Sequence, residues 1–427
     1  MTYQASQEPL NQSYQIKSEL LSFPNFFLPS ESFPALLDRL IADANGFLSG
    51  VDQHHRSLRR TIITISTPDP PTSKMPNPII LHLGDPIKYN HDFYNGPFSD
   101  RYDIVPNDAP DRGSFIHALK TNRYGSFSAI FRPHFQSGGE MGQWDDELIA
   151  LLPSSVRIFA SAGAGFNWAD VDALGARGIW YANGAGASDE AVSDTTLYMI
   201  LSVFRNFTRA QIAARTADPA RFTATHKLLA MISRNPRGHV LGLVGLGNIS
   251  KRVAEKARAL GMEVMYFDVV RAEREEEERL GVRFEGSLEA LLEKADCVSL
   301  HTPLNEHTRH LINERTIAVM KDGARLVNTA RGEVVDEEAL VAALETGKLS
   351  AAGLDVHYHE PQVSKRLAAM ENVTLTTHVG GGALETRINF ELNAMRNILA
   401  VVGEDGQVIG EPLTPVNAKA VRDSHSG

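Results

Sequence analysis

Residues 240–268 constrain this chain most, because they set a strand, a turn, a helix and a second strand at a spacing that leaves a phosphate-sized gap at the first turn. The apolar run 240–244 reads as a strand buried on both faces, and it stops at Gly245-Leu-Gly-Asn-Ile-Ser250. A helix is expected over 251–260 and a second strand over 262–267, ending on Asp268. Gly245 permits the tight turn, and Gly247 lets the backbone approach a pyrophosphate seated on the N–H groups of the helix N-terminus. Ser250 stands at the third position, where a glycine is usual. An acid about 20 residues beyond such a turn binds a ribose 2′-hydroxyl and repels a 2′-phosphate. The glycine spacing alone also fits an ordinary turn. With strand before, helix after and Asp268 in place, it reads as a dinucleotide site that takes NAD in preference to NADP. Arg271 and Arg274 nearby keep NADP as the alternative.

A chain of 427 residues suggests two or three domains with room for full cores. The formal net charge of −10 argues against a general polyanion-binding surface, so nucleic acid is not an expected partner. Cys297 is the only cysteine and lies in an apolar run, which predicts a buried strand residue and excludes an intrachain disulfide. No apolar run reaches the roughly 18 residues of a membrane span, and the N-terminus, with no arginine before Arg39, fits neither a secretory signal nor a transit peptide. A cytoplasmic, membrane-free protein is the expectation.

Along the chain, residues 1–76 alternate short apolar clusters with polar stretches and form an N-terminal extension of unassigned role. Leu36, Leu37, Leu40 and Ile41 have helical spacing. The pair His54-His55 lacks partners for a metal site, and none is expected. A functional start near Met75 is expected, just before the first convincing strand at 79–83. Residues 77–187 alternate strands (also 129–131 and 156–160) with helices, and a loop of small residues, 161–167, leaves N–H groups open to a small anion. Trp168, Trp180 and Phe166 read as packing groups, with one of them a candidate for lining a pocket. A helix over 188–207 carries the chain into residues 188–382, where strands are expected at 240–244, 263–267, 297–301, 325–328, 352–356 and 373–377. Their nearly continuous apolar character indicates a parallel sheet covered on both faces. The acidic run 273–279 reads as a solvated helix face. A last helix, 383–402, is expected to return to the first domain, so that 77–187 and 383–427 form a substrate domain and 188–382 the dinucleotide domain. The fold class is α/β: two Rossmann-like, doubly wound parallel sheets with a cleft between them.

In such sheets ligands lie beyond the carboxyl ends of the strands. Three ends here carry chemistry. Arg331 follows 325–328, and a guanidinium fork suits a carboxylate. Glu360 follows 352–356, and His378 with three glycines follows 373–377. A carboxylate beside an imidazole stabilises its protonated form, so the pair is a proton donor and acceptor. Each residue singly also fits a structural role; beside a dinucleotide site the three together favour chemistry.

These residues resemble the D-isomer-specific 2-hydroxyacid dehydrogenases from about residue 77 to the C-terminus. The likeness is carried by Gly245-Leu-Gly-Asn-Ile with Asp268, Ser299-Leu-His-Thr-Pro-Leu304 with Thr308, Val327-Asn-Thr-Ala-Arg331-Gly, Gly353-Leu-Asp-Val356 with Glu360-Pro361, and Thr377-His378-Val-Gly. Within the family the chain is most similar to the fungal D-mandelate dehydrogenases, through Ala160-Ser-Ala-Gly-Ala-Gly-Phe-Asn-Trp168 and Asn235-Pro-Arg-Gly-His-Val-Leu-Gly242.

The resemblance implies that Arg331 grips the substrate carboxylate and 2-oxygen, with N–H groups around Ala164 and Gly165 on the carboxylate's other side. It implies that His378 is the general acid and base with Glu360 as its partner, and that catalysis is by hydride transfer. It places the cofactor against Gly245, Gly247, Asn248, Ile249, Asp268, Thr302, Pro303, Thr308, Thr329, Ala330 and Asp355. It implies a homodimer, and mandelate-like aromatic or branched acids as substrates. Asn167, Tyr358 and Ser250 depart from common family residues, the first two bearing on substrate preference. A glyoxylate or hydroxypyruvate reductase using NADPH is the enzymatic alternative, and a nucleotide-sensing scaffold like the corepressors of this family is the non-enzymatic one. Formate oxidation would leave Glu360 without a purpose.

Overall fold

A computed structural model describes residues 76–135 and 137–424. The expected helix around Leu36–Ile41, the His54-His55 pair and the start near Met75 lie outside the described residues. Five strands, β1 Ile79–His82, β2 Asp103–Pro106, β3 Ala129–Arg132, β4 Ile158–Ser161 and β5 Trp180–Ala182, form one sheet in the order β2-β1-β3-β4-β5. Seven more, β6 Val240–Val244, β7 Glu263–Phe267, β8 Val282–Phe284, β9 Cys297–Leu300, β10 Ala324–Asn328, β11 Leu349–Leu354 and β12 Val373–Leu375, form a second in the order β12-β11-β10-β9-β6-β7-β8. Every pairing in both sheets is parallel.

Each sheet is wound both ways from its first strand, which puts a crevice where the order reverses. In the larger sheet that point lies between β6 and β9. Val244 is level with Phe267 on one side and Leu300 on the other, so Gly245, Asp268 and His301 come out along one edge. In the smaller sheet the reversal lies between β1 and β3, level at His82 and Phe131.

Apolar strands are covered on both faces, as their sequences demand. Leu241 and Leu243 of β6 pack with Met199, Ile200, Val203 and Phe204 of the helix Asp189–Arg205 and with Val253, Ala254 and Ala257 of the helix Asn248–Ala259. On the other face Val298 and Leu326 pack with Leu291, Ile317 and Leu340. The helix Leu384–Val401 lays Met395, Ile398 and Val401 against Ile80, Phe131 and Ile158, on the smaller sheet, although it follows the whole larger sheet in sequence; it is not the last helix, because a short one, Ala418–Ser424, comes after it.

The structure differs from expectation in a few places. β2, β5 and β8 were not expected; they are sheet edges three or four residues long, too short to show a period and paired on one side only. The helix after the glycine turn begins at Asn248, not Lys251, so the whole Gly-x-Gly-x-x-Ser segment is turn plus first helical turn. There Ser250 is fully buried and its hydroxyl donates to the Gly247 carbonyl at 3.0 Å, which lets it occupy a glycine's place. In the acidic helix Arg274–Leu280, Glu277 is buried and accepts a hydrogen bond from the Tyr266 hydroxyl, so this face is not wholly solvated. Cys297 is buried in β9, and burial pushes its thiol pKa up to about 12.

Candidate active site

The first glycine turn is built for an anion. Gly245 sits at φ +95°, a conformation open to glycine, and its N–H donates to Phe267 across the strand pair. Gly247 caps the helix Asn248–Ala259 without a side-chain hydrogen bond, and a Cβ placed on it would meet nothing within 4 Å. The first N–H groups of that helix, around Asn248 and Ile249, therefore lack an intrahelical acceptor. Across the crevice the Thr302 hydroxyl is buried with no partner. An open cradle, a positive helix end and an orphaned hydroxyl fit a dinucleotide. Asp268 also holds the turn itself, accepting from the Leu246 N–H at 2.7 Å. Thr308 donates to the Pro303 carbonyl at 2.6 Å and so shapes the loop after β9.

Arg331 stands just past β10, on a turn bracketed by buried Asn328, whose side chain accepts from the Ala330 N–H and donates to the Arg331 carbonyl. Thr329 bonds to Thr196 of the helix Asp189–Arg205 at 2.9 Å. The guanidinium reaches across to the small-residue loop after β4. It donates to Asn167 Oδ1 at 3.3 Å, and a Cβ on Gly165 would overlap it. Gly165 is thus required by close approach. Burial lowers the Arg331 pKa, with the charge of Glu360 acting against that. An arginine stays protonated regardless. Its partner Asn167 is neutral, where an aspartate would neutralise it, so the guanidinium keeps its charge on the cavity wall.

His378 and Glu360 meet at 2.7 Å, Nδ1 to Oε2, while Glu360 Oε1 accepts from the His357 N–H at 2.9 Å. Burial works against ionisation of Glu360, but these two hydrogen bonds outweigh it and hold its pKa below the usual carboxylate range. A carboxylate on Nδ1 fixes a proton there and leaves Nε2 as the nitrogen free to gain or lose one. His378 has φ +54°, a left-handed backbone conformation that costs a non-glycine residue about 1–3 kcal/mol. Asp355 holds it there. Its buried carboxylate accepts from Thr376 Oγ1 at 2.6 Å, Val379 N at 2.9 Å and Gly380 N at 2.7 Å, while its carbonyl accepts from His378 N at 2.7 Å. Asp355, expected to contact cofactor, has both side-chain oxygens committed to this loop.

Arg331, Glu360 and His378 line one cavity of about 800 Å³, together with Ala164, Gly165, Ile249, Thr329 and Asp355. Gly245, Gly247, Asn248, Asp268, Thr302, Pro303, Thr308 and Ala330 are not in its wall; they belong to the β6, β7, β9 and β10 ends outside it. Among the described residues no group of three His, Cys, Asp or Glu is placed to hold a metal.

The far wall was not anticipated. Arg132, at the end of β3, is 7% exposed, stacks over Trp168 at 4.9 Å and donates to the Phe135 carbonyl at 3.1 Å. Phe135 then stands half-exposed, its ring 6.1 Å from that of His378. Trp168 both packs and lines the cavity, whereas Trp180 is buried in the sheet. Lys88 and Tyr89 complete the wall, their N–H groups donating with that of Asn90 to the fully buried Glu391. Arg132 obeyed the strand-end rule and was legible on that ground; Glu391, in the middle of an amphipathic helix, carried no signal.

Comparison with known proteins points to one family. Residues 197–380 match the family model described as D-isomer specific 2-hydroxyacid dehydrogenase, NAD binding domain. The holo form of Rhodotorula graminis D-mandelate dehydrogenase is similar at 47% identity, covering 80% of this chain and 98% of that one, with a TM-score of 0.77. A glyoxylate reductase from Paecilomyes thermophila is similar at 33% identity over 81% of this chain and 100% of that one, TM-score 0.73. The 4-methyl-2-oxopentanoate reductase A of Aspergillus oryzae is 35% identical over 70% of this chain and 87% of its own length.

Proposed function

The chain belongs to the D-isomer-specific 2-hydroxyacid dehydrogenase family, and on that premise we propose that it is an NAD-dependent oxidoreductase interconverting 2-oxo acids and D-2-hydroxy acids, with aromatic or branched acids favoured. The observation that carries this reading is the single cavity shared by Arg331, Glu360 and His378. A nicotinamide cofactor held at the Gly245–Gly247 turn and the N-terminus of the helix Asn248–Ala259 would supply or accept the hydride at substrate C2. Arg331 holds the substrate carboxylate, and the loop N–H groups at Ala164 and Gly165 hold its other edge. His378 Nε2 gives a proton to the C2 oxygen in reduction and takes it back in oxidation, while Glu360 keeps the Nδ1 proton and offsets the charge. Holding carboxylate and oxygen at fixed points converts an encounter into a positioned reaction, the largest service these residues offer.

The preference for larger acids rests on the aromatic wall of Phe135, Tyr89 and Trp168, and on similarity to proteins named for mandelate and 4-methyl-2-oxopentanoate. Reduction of glyoxylate or hydroxypyruvate with NADPH is the second reading, favoured by the likeness to a glyoxylate reductase. A homodimer belongs to the same proposal. The hairpin of helices Phe207–Arg215 and Pro219–Ile232 exposes Ile212, Phe222, Leu228 and Met231, and its second helix buries no residue, so a second copy would cover it. A cytoplasmic location accords with a lone, buried cysteine; among the described residues no helix is long and apolar enough to cross a membrane.

The test is NADH oxidation against a panel of 2-oxo acids from glyoxylate to benzoylformate. Turnover of at least one, abolished in His378→Asn with NADH binding retained, is the expected result. No turnover of any acid refutes the enzyme, and turnover undiminished in His378→Asn refutes the mechanism.

A further inference from the structure

Glycine-turn geometry explains how a dinucleotide is held but not how its adenosine ribose is read, and the segment after β7 carries an arrangement bearing on that. Arg271 lies three residues beyond Asp268, in the loop where an arginine would take up a 2′-phosphate. Its fork is already occupied. Nε and Nη2 both donate to Glu277, to Oε1 and Oε2, at 2.8 Å each. Glu277 is anchored in turn, accepting from the Tyr266 hydroxyl at 2.7 Å, and that hydroxyl accepts from the Ala272 N–H at 3.0 Å. The guanidinium also lies over the Phe284 ring at 5.2 Å, on β8. Arg274, the other cation of the loop, is paired with Glu278 at 2.8 Å. Arg271, Arg274, Glu277 and Glu278 line one surface pocket. Counted with Asp268, three carboxylates face two guanidiniums, which leaves the region with a net negative charge.

We propose that Glu277 is the residue that selects the cofactor: by holding the Arg271 fork on a buried carboxylate it withholds the cation that a 2′-phosphate needs, and leaves the ribose to Asp268. This rests on the dehydrogenase reading for its purpose, but its test does not require a substrate. The geometry distinguishes it from the ordinary rule that an acid at the strand end excludes phosphate. Asp268 supplies repulsion, whereas Glu277 removes attraction, and the pair Tyr266–Glu277 is built into the β7 end so that Arg271 cannot swing out without breaking two hydrogen bonds.

The experiment titrates NADH and NADPH separately into wild-type protein, Glu277→Gln, Arg271→Ala and the double variant, following nicotinamide fluorescence, with thermal melting of each apoprotein. Wild type is expected to bind NADH at least tenfold more tightly than NADPH. Glu277→Gln keeps an acceptor for Tyr266 but not the charge, and is expected to tighten NADPH at least fivefold while NADH shifts less than twofold. Arg271→Ala on top removes that gain. Arg271→Ala alone, a change at a surface side chain that bypasses any folding defect of the buried variant, alters the NADH to NADPH ratio less than twofold. The proposal is overturned if Glu277→Gln folds yet does not tighten NADPH, if the gain survives loss of Arg271, or if Arg271→Ala alone weakens NADPH fivefold, which would mean the fork is already in use. Binding of neither nucleotide overturns the dehydrogenase reading as well, whereas binding with no turnover of any 2-oxo acid bears on that reading alone.

Discussion

Replacing Asp355 by asparagine tests whether the His378 imidazole, the proposed acid and base, is positioned by one buried carboxylate. The side chain accepts three hydrogen bonds, from Thr376 Oγ1, Val379 N and Gly380 N. An amide oxygen in the Oδ2 place retains the Gly380 bond. The amide nitrogen then occupies the Oδ1 place, where it faces the Val379 N–H, donor to donor, at a site 1% exposed. A buried donor left unpaired costs about 1–3 kcal/mol, and the surviving bond loses its charge. The same carboxylate offsets the left-handed backbone of His378, itself worth about 1–3 kcal/mol. If about 2–3 kcal/mol of this restraint is lost from the reactive geometry, at about 1.4 kcal/mol per tenfold, kcat/KM falls roughly 30- to 150-fold. The assay is steady-state kcat/KM with a 2-oxo acid that the wild type reduces, alongside the NADH dissociation constant and urea unfolding. NADH affinity within threefold of wild type is the expected companion result, because Asp355 acts through the 376–380 loop. A variant with full kcat/KM, or one whose entire loss is loss of NADH affinity, refutes the positioning argument.

Glu391→Gln keeps an amide oxygen for the Tyr89 and Asn90 N–H groups but turns the amide nitrogen toward the Lys88 N–H, donor to donor at a fully buried site, and is expected to lower unfolding stability by about 2 kcal/mol in urea titration. Burial alone would raise the Glu391 pKa, but its hydrogen bonds lower it below the usual value; a depressed folded pKa means stability present above the unfolded value near 4.5 and lost as pH falls through the folded one, so wild-type stability drops on acidification below that point and the variant's drops less. Cys297, its thiol pushed up to about 12 by complete burial, is expected to resist iodoacetamide at pH 8 in native protein and react promptly in urea; rapid native labelling would show that β9 is not covered as described.

Much of this architecture was legible locally. The turn at Gly245, its flanking strands and Asp268 lie within one short unit whose period and spacing carry their own reading, and the strand-end rule drew attention to Arg331, Glu360 and His378 before any contact was known. Each of those inferences needs information from only a few neighbouring residues. Tertiary structure decided what lay across the cleft: that Arg331 meets Asn167, 164 positions away, that Glu391 fastens a loop 301–303 residues earlier, and that Asp355 serves the His378 loop with both oxygens. It also decided that the acidic run contributes a buried Glu277 to Arg271 and Tyr266. Periodicity encodes which face of an element is buried; it does not encode which polar group waits on the facing element, because that depends on how the two sheets and the returning helix Leu384–Val401 pack together.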